Sequence, residues 1–349
     1  MKKAPTIRDV AATAGVSVSV VSRVLNDGSV APATRERVVA AIAELGFRPR
    51  AAARELNGAG LTIGLVLADL TNPFFARVAD RIVWEARARG VQVVLMTTQE
   101  DPHIEAETLA TLLDRSVGGV IATPTGGNID QWSRLQEVGV DLVFVDRSIA
   151  ALENTDVVSI QNDASAATAT EHLIGLGHDR IGLISGPLST STGTARIAGY
   201  QAALARAGIP SDTELVRGVP FRGGAGADAV AALLSLPEPP TALIVANTAQ
   251  VQSSMRQLYQ MGIEIPQQLS VIVFDDNPWT ELVSPPLSVI RQPIDMLARH
   301  SVDLVLGRMQ GKLPVGPRII EVQAEFVSRS SSATRSVASP TAHDAVSHP

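Results

Sequence analysis

The sequence predicts a small all-α head followed by a large α/β body. Up to about residue 45 the chain shows only short helical patterns, whereas from Leu61 onward apolar runs of strand length alternate with helical stretches. Charge divides in the same way: residues 1–60 carry nine Lys or Arg against five Asp or Glu, although the formal net charge of the chain is −6. A basic head on an acidic body indicates that only the head meets a polyanion.

Composition excludes several classes of protein. The 349 residues contain no cysteine, which excludes disulfides and thiolate metal sites and fits a reducing cytoplasm. No apolar run approaches the ~18 residues of a membrane span. The N-terminal MKKAPTIRDV has two lysines but no apolar stretch behind them, so we expect no secretory signal and a cytoplasmic protein.

The stretch TIRDVAATAGVSVSVVSRVLN, residues 6–26, predicts two helices joined by a tight turn. Thr6 starts a capping-box pattern, Gly15 suits the turn and Ser17 can cap the second helix. A third helix is predicted from about Ala33 to Leu45, which completes a helix-turn-helix head. The residues of the second helix that point away from its apolar stripe are Val18, Ser19, Ser22 and Arg23.

That outward face suits the major groove of DNA. Its short side chains allow close approach, its hydroxyls can reach phosphates, and Arg23 can bind guanine O6 and N7. An ordinary three-helix bundle with a serine-rich face would show the same periodicity. The local positive charge favours DNA.

The alternation in the body predicts buried parallel sheets with helices on both faces. Open sheets of this kind bind ligands at the carboxyl ends of their strands. Polar residues follow the predicted strands at these positions: Asp69, Asn72, Asp146, Arg147, Asn162, Asp163, Asn247, Asp275 and Asp276.

Several motifs, in order along the chain, carry a family resemblance. TIRDVAATAGVSVSVVSRVLN, TRERVVAAIAELGFRP and AAARELNG cover nearly all of residues 5–58, and DLTNPFF, VFVDR, LGHDRIGLISGP, RIAGYQAAL and DDNPW follow in the body. Together they strongly resemble the LacI/GalR family of bacterial transcription regulators. The body resembles that family's effector domain, which is similar to type I periplasmic sugar-binding proteins.

The resemblance implies a domain order. A helix-turn-helix headpiece spans 1–50, a hinge helix or linker 51–60, and an effector-binding and dimerisation domain 61–327. That domain has two doubly wound subdomains, one of about 61–160 with 292–322 and the other of about 161–290, with the ligand in the cleft between them. The tail, 328–349, is rich in Ser, Ala and Thr, so we expect it to be disordered.

The resemblance also implies site residues. The DNA-binding set is Thr6, Ser17, Val18, Ser19, Ser22, Arg23, Asn26, Thr34, Ala53 and Leu56, with Leu56 as an apolar wedge in the minor groove. The effector-binding set is Asn72, Phe74, Phe75, Asp146, Arg147, Arg196, Phe221, Asn247, Asp275 and Trp279.

Each effector residue has a chemical reason. The fork of Arg196 suits vicinal hydroxyls or a carboxylate, and Asp275 can accept two sugar hydroxyls. For some residues a structural role stays open: Asp146 and Arg147 as an ion pair, Phe75 as core, Trp279 as a hinge contact. Two positions depart from the family pattern: Thr248 stands where an aspartate is usual, and Val273 where a small residue is usual.

No catalytic pattern is present. FRGGAGAD lacks the third glycine of a dinucleotide site, no P-loop or GxSxG elbow occurs, and the histidines lack metal-ligand spacing. We therefore expect no enzyme, no cofactor and no metal. The resemblance implies a dimeric repressor of carbohydrate or related catabolic genes that binds double-stranded operator DNA, not a membrane, and senses a sugar or sugar acid. A corepressor-dependent regulator and a solute-binding protein without DNA function are the alternatives.

Overall fold

The computed structural model describes residues 6–25, 28–45, 61–115 and 117–335. These residues form two units. Unit 1 comprises the described residues up to Thr71, Phe75–Ser159 and Ile294–Ile320, and unit 2 comprises Asn72–Phe74, Ile160–Pro293 and the described residues from Glu321 on. Within the described chain, no helix combines the length and the hydrophobicity that crossing a membrane requires.

The head consists of three helices, α1 (Ile7–Ala14), α2 (Val18–Leu25) and α3 (Pro32–Leu45). Thr6 caps α1 in a capping box, and Gly15 ends it in the left-handed conformation with φ 65°. The three helices bury a small core, whose fully buried members are Val10, Ala11, Ala14, Val21, Val24, Val38 and Ala41. The predicted helix-turn-helix fold is confirmed.

Unit 1 is built on a six-stranded sheet in the order β11-β5-β4-β3-β1-β2. Its strands and helices are β1 (Thr62–Leu67), α4 (Pro73–Ala88), β2 (Gln92–Thr97), α5 (Pro102–Asp114), β3 (Gly119–Ala122), α6 (Ile129–Glu137), β4 (Asp141–Val145), β5 (Asp156–Ile160), α11 (Ile294–Met309) and β11 (Ile319–Val322). The central strands β1, β3 and β4 are buried along almost their whole length. Such burial is typical of strands covered on both faces.

Unit 2 is built on a second six-stranded sheet in the order β12-β10-β9-β8-β6-β7. Its elements are α7 (Asn162–Gly175), β6 (Ile181–Ser185), α8 (Ser191–Arg206), β7 (Val216–Gly218), α9 (Ala225–Leu234), β8 (Ala242–Val245), α10 (Thr248–Gln260), β9 (Ser270–Phe274), β10 (Ser288–Arg291) and β12 (Glu325–Val327), with 3-10 turns at Thr213–Leu215 and Pro278–Glu281. Strands β6 to β10 pair in parallel, and β12 adds an antiparallel edge.

The two units repeat one topology. In each, the first strand lies between the second and the third, so that β1 pairs with both β2 and β3, and β6 with both β7 and β8. The strand order reverses at that point, and the crevice at the carboxyl ends beside it is where open α/β sheets bind ligands. The predicted α/β fold class is confirmed.

The predicted disorder of the tail is wrong for residues 328–335. Ser331 is fully buried; its hydroxyl donates to the Val271 carbonyl at 2.6 Å and accepts from the Ser288 N–H at 2.7 Å. Arg329 binds Asp276 through two contacts of 2.9 Å. Polar hydrogen bonds, rather than the apolar residues whose absence predicts disorder, hold this segment on unit 2. Residues 336–349 lie outside the described chain.

Candidate DNA-reading face and effector site

Helix α2 separates its apolar residues from its polar ones. Val21 and Val24 are buried in the head core, whereas Val18, Ser19 and Arg23 are exposed. Ser22 is half-buried. The helix therefore presents a surface of short side chains and one guanidinium, as the sequence predicts, and such a surface fits a major groove.

Local contacts occupy several of the other predicted DNA-binding side chains. The Thr6 hydroxyl donates to Asp9 Oδ2 at 2.7 Å, and the Thr6 N–H donates to the same oxygen at 2.7 Å. Ser17 Oγ lies 2.9 Å from Ser19 Oγ, and Thr34 is half-buried in the first turn of α3. Thr6 thus has a capping function whether or not it meets DNA. Asn26, Ala53 and Leu56 lie outside the described residues.

In unit 1 the structure brings together Phe75, Asp146 and Arg147. Arg147 is 2% exposed, and its Nη1 and Nη2 donate to the two carboxylate oxygens of Glu100 at 2.7 and 2.8 Å. Its guanidinium carbon lies 5.7 Å from the centre of the Phe75 ring, and its Nε lies 3.6 Å from Asp146 Oδ2. Burial alone would lower the pKa of Arg147, but the hydrogen bonds and charge of Glu100 outweigh it and hold that pKa above its ordinary value. Glu100 thus already balances the charge of Arg147.

In unit 2 a buried arginine joins three elements. Arg196 on α8 is 4% exposed; its Nε donates to Asn162 Oδ1 at 2.8 Å, and its Nη1 donates to the Ala246 carbonyl after β8. Its guanidinium carbon lies 4.3 Å from the centre of the Phe274 ring. Gly199 allows this arrangement, because a Cβ at that position would lie 1.9 Å from the Asp163 carbonyl oxygen at the start of α7.

Asp275 follows β9 and is also buried, at 6% exposure. The Thr248 hydroxyl donates to its Oδ2, and Gln292 Nε2 donates to its Oδ1 at 2.6 Å. The Oε1 of Gln292 is buried and has no hydrogen-bond partner among the described residues. A neutral donor therefore holds each carboxylate oxygen, and an unsatisfied acceptor lies beside them.

The remaining predicted effector residues of unit 2 have separate surroundings. Asn247 caps α10 by accepting from the Ala249 N–H at 2.8 Å, and Asn72 accepts from the Phe74 N–H at 3.0 Å. Phe221 packs against Gly186, which follows β6. Trp279 lines a groove of about 500 Å³ along one face of α10; the other lining residues are Gln252, Met255, Arg256, Tyr259 and Gln260.

Sequence reasoning missed four partners of the predicted site residues: Glu100, Asn162 as the acceptor for Arg196, Thr248 and Gln292. Gln292 directly follows β10, and Asn162 lies two residues after the end of β5. A polar residue just after a buried strand is the signal that could have identified them, and Asn162 already carried it. Glu100 lacks this signal, because it comes three residues after β2 and that strand has no buried residue.

Comparisons with known proteins agree with this architecture. Residues 6–50 match the family described as bacterial regulatory proteins, lacI family, and residues 170–332 match the periplasmic binding protein-like domain. The chain is 33% identical to the ribose operon repressor of Escherichia coli (strain K12) over 332 residues, which are 90% of this chain and 98% of that protein. It is 31% identical to the HTH-type transcriptional repressor CytR of the same organism, over 92% of this chain and 94% of CytR.

Solved structures give the same result. The transcriptional regulator CelR–cellobiose complex superposes with a TM-score of 0.72 at 31% identity, covering 94% of this chain and 99% of that one. The lac repressor dimer bound to operator and the anti-inducer ONPF superposes with a TM-score of 0.70 at 28% identity, covering 95% of this chain and 100% of that one. Fold and head together define a DNA-binding helix-turn-helix regulator with a periplasmic-binding-protein-like body. The chain belongs to the lacI family of bacterial regulatory proteins, and its two relatives from Escherichia coli named above are repressors.

Proposed function

We propose that this protein represses transcription as a homodimer on a two-fold-symmetric operator, and that a sugar or sugar acid bound by the body controls that binding. The observation that carries the proposal for DNA is the exposed face of α2, with Val18, Ser19 and Arg23. One head reads only a few base pairs, and two heads related by a two-fold axis double the site. The lac repressor dimer bound to operator, a relative in structure, supports the same stoichiometry.

The buried polar residues of unit 2 support effector binding. Arg196 and Asp275 both lie near the carboxyl ends of parallel strands, where such sheets take ligands. A guanidinium donates to hydroxyls or carboxylates, and a carboxylate accepts from hydroxyls. The names of the relatives, a ribose operon repressor and a regulator in complex with cellobiose, make neutral sugars the first compounds to test.

Control by the effector requires two forms of the dimer with different operator affinities. An effector shifts the population only through its different affinity for the two forms, and the coupling is reciprocal. We expect an inducer, which lowers operator affinity. A rise in operator affinity with the sugar present would instead identify a corepressor.

The test uses the full chain and a palindrome with half-sites about 10 base pairs apart. Gel shifts over a salt series should show binding that weakens steeply with salt, because phosphate contacts release counterions. Calorimetry with D-ribose, cellobiose and D-gluconate should identify the effector class. Arg196→Ala should abolish sugar binding and the response to it while operator binding persists, and Leu56→Ala should weaken operator binding while sugar still binds.

Arg206→Ala is the matched control. Arg206 is also on α8 but is exposed and paired with Glu171 at 2.6 Å, so its loss should leave sugar affinity unchanged. Normal sugar binding by Arg196→Ala would exclude Arg196 from the site. A monomer whose DNA binding ignores salt would refute the DNA half of the proposal.

A further inference from the structure

At the start of α10, the hydroxyl of Thr248 contacts a charged side chain. Thr248 is 1% exposed, and its hydroxyl donates to Asp275 Oδ2. A hydroxyl at the first turn of a helix often serves to cap that helix. Here the cap comes from Asn247, whose side chain accepts from the Ala249 N–H. The cap therefore does not use the Thr248 hydroxyl, which donates to Asp275 instead.

The bond fixes a carboxylate that is already constrained in its backbone. Asp275 has φ 74°, and its other oxygen accepts from Gln292 Nε2 at 2.6 Å. Two donors on opposite oxygens define the plane of the carboxylate. Because both donors are neutral, they fix its direction without supplying a compensating charge.

The carboxylate retains capacity for a ligand. An ionised carboxylate has about four lone-pair sites, of which Thr248 and Gln292 use two. Gln292 Oε1 is a second acceptor, without a hydrogen-bond partner among the described residues. The side chains of Thr248, Asp275 and Gln292 thus offer acceptors and include no cation. This cluster therefore suits a group that donates hydrogen bonds, such as adjacent hydroxyls.

We propose that Thr248 is a positioning residue, which orients the Asp275 carboxylate to accept two hydroxyls of the effector. The inference rests on the proposed function, in which Asp275 contacts the effector. Thr248 stands where an aspartate is usual in the family, and here it supplies a neutral hydroxyl donor to Asp275.

The experiment compares three variants of the full chain by calorimetry with D-ribose, or with whichever sugar of the panel the wild type binds. Thr248→Val keeps the side-chain shape and removes the hydroxyl; it should weaken binding about ten- to hundredfold, the factor for one hydrogen bond to a charged group. Thr248→Ser keeps the hydroxyl and should restore binding to within about threefold of wild type. Thr170→Val is the matched control, since Thr170 is equally buried and its hydroxyl donates at 2.8 Å to Ala166 within α7.

A second readout tests orientation rather than stability. Removing one hydroxyl from the sugar should cost the wild type more affinity than it costs Thr248→Val, because a misdirected carboxylate no longer uses that hydroxyl. Equal costs in both proteins, or Thr248→Val affinity equal to that of Thr170→Val, would overturn the positioning role. If the wild type binds no sugar, or Asp275→Asn binds as well as wild type, the proposed effector site itself fails, and the two failures are thereby distinguished.

Discussion

Asp146 and Asp275 hold the same position in the two units. Each directly follows the fourth strand of its unit, each has a left-handed backbone with φ of 71° and 74°, and each N–H donates at 2.9 Å to the next strand, to Val158 and Ile290. Few residues other than glycine adopt this conformation, although aspartate tolerates it better than most. Strained positions are concentrated at functional sites. The repeated topology therefore places a carboxylate with a left-handed backbone at the carboxyl end of the fourth strand in each unit.

Replacement of Arg23 by alanine should relax operator specificity. If its guanidinium binds a guanine, the loss should cost about 1–3 kcal/mol and should be largest at one base pair of each half-site. Gel shifts against operators substituted at every position would measure it. Equal weakening on all sequences would mean that Arg23 contacts only phosphate.

Glu100→Ala should destabilise unit 1 strongly. It would remove the carboxylate that accepts from both Nη groups of the buried Arg147, and breaking a buried pair costs about 3–5 kcal/mol. Urea unfolding would measure the free energy. Because the two residues are in contact, Glu100→Ala with Arg147→Met should be less harmful than the sum of the single changes. Additive losses would show that the pair is not the structural ion pair that its geometry indicates.

Stability should fall on acidification below about pH 6.5, partly because of His178. Its Nε2 lies 3.1 Å from the Ala333 carbonyl, which can only accept, so the neutral ring carries its proton there and accepts at Nδ1 from Thr241, 2.8 Å away. Burial lowers the pKa of His178 from its ordinary 6.5. The unfolded chain therefore binds more protons, and the contribution of the neutral ring, complete above 6.5, is lost as pH falls towards the folded pKa.

Urea midpoints of the wild type and His178→Gln at pH 7.5 and 5.5 would test this. The variant should have a smaller pH dependence, although His172, whose pKa burial also lowers, should keep part of the effect. An unchanged pH dependence in His178→Gln would contradict the assignment.

Asp276 should govern a second transition at lower pH. Burial would raise its pKa, but hydrogen bonds from Arg291, Thr280 and Arg329 outweigh burial and hold the pKa below its ordinary 3.8. Its stabilising contribution is complete above that value and is lost as pH falls through the lower folded pKa. Arg329→Ala should lower the free energy of unfolding at neutral pH and flatten its decline below about pH 4. A decline as steep as that of the wild type would exclude this ion pair as its cause.

Helical periodicity in the body correctly predicts that α4 begins at Pro73 and α9 at Ala225. It places the start of α8 at Thr194 and that of α10 at Gln250, whereas these two helices begin at Ser191 and Thr248. In both cases an upstream side chain, Thr190 or Asn247, caps the helix. Each also has polar neighbours typical of a loop, so its capping function emerges only once the preceding strand has been placed.

The candidate site residues can also be predicted from the sequence more easily than their hydrogen-bond partners. Motifs identify Arg196 and Asp275, but Asn162 and Gln292 are 34 and 17 residues away from them in the chain. No local periodicity links such pairs, because strand order in the sheet decides which ends meet. The prediction of disorder for residues 328–335 is wrong for a related reason. These residues have few apolar side chains to bury, and the backbone groups that bond the Ser331 hydroxyl lie on strands far away in the sequence.

Residues 328–335 also determine where a protease can cut the chain of unit 2 without breaking buried hydrogen bonds. Besides the hydroxyl bonds of Ser331, the Val271 N–H donates to the Ser331 carbonyl and the Arg335 N–H donates to Leu176. A protease that cuts beyond residue 335 would leave all of these bonds in place. A cut after Val327 would leave β12 on the edge of the sheet but remove Ser331, and each buried group left unpaired would cost about 1–3 kcal/mol. Fragments that still bind a sugar after limited digestion should therefore retain Arg335 at or near their new carboxyl terminus.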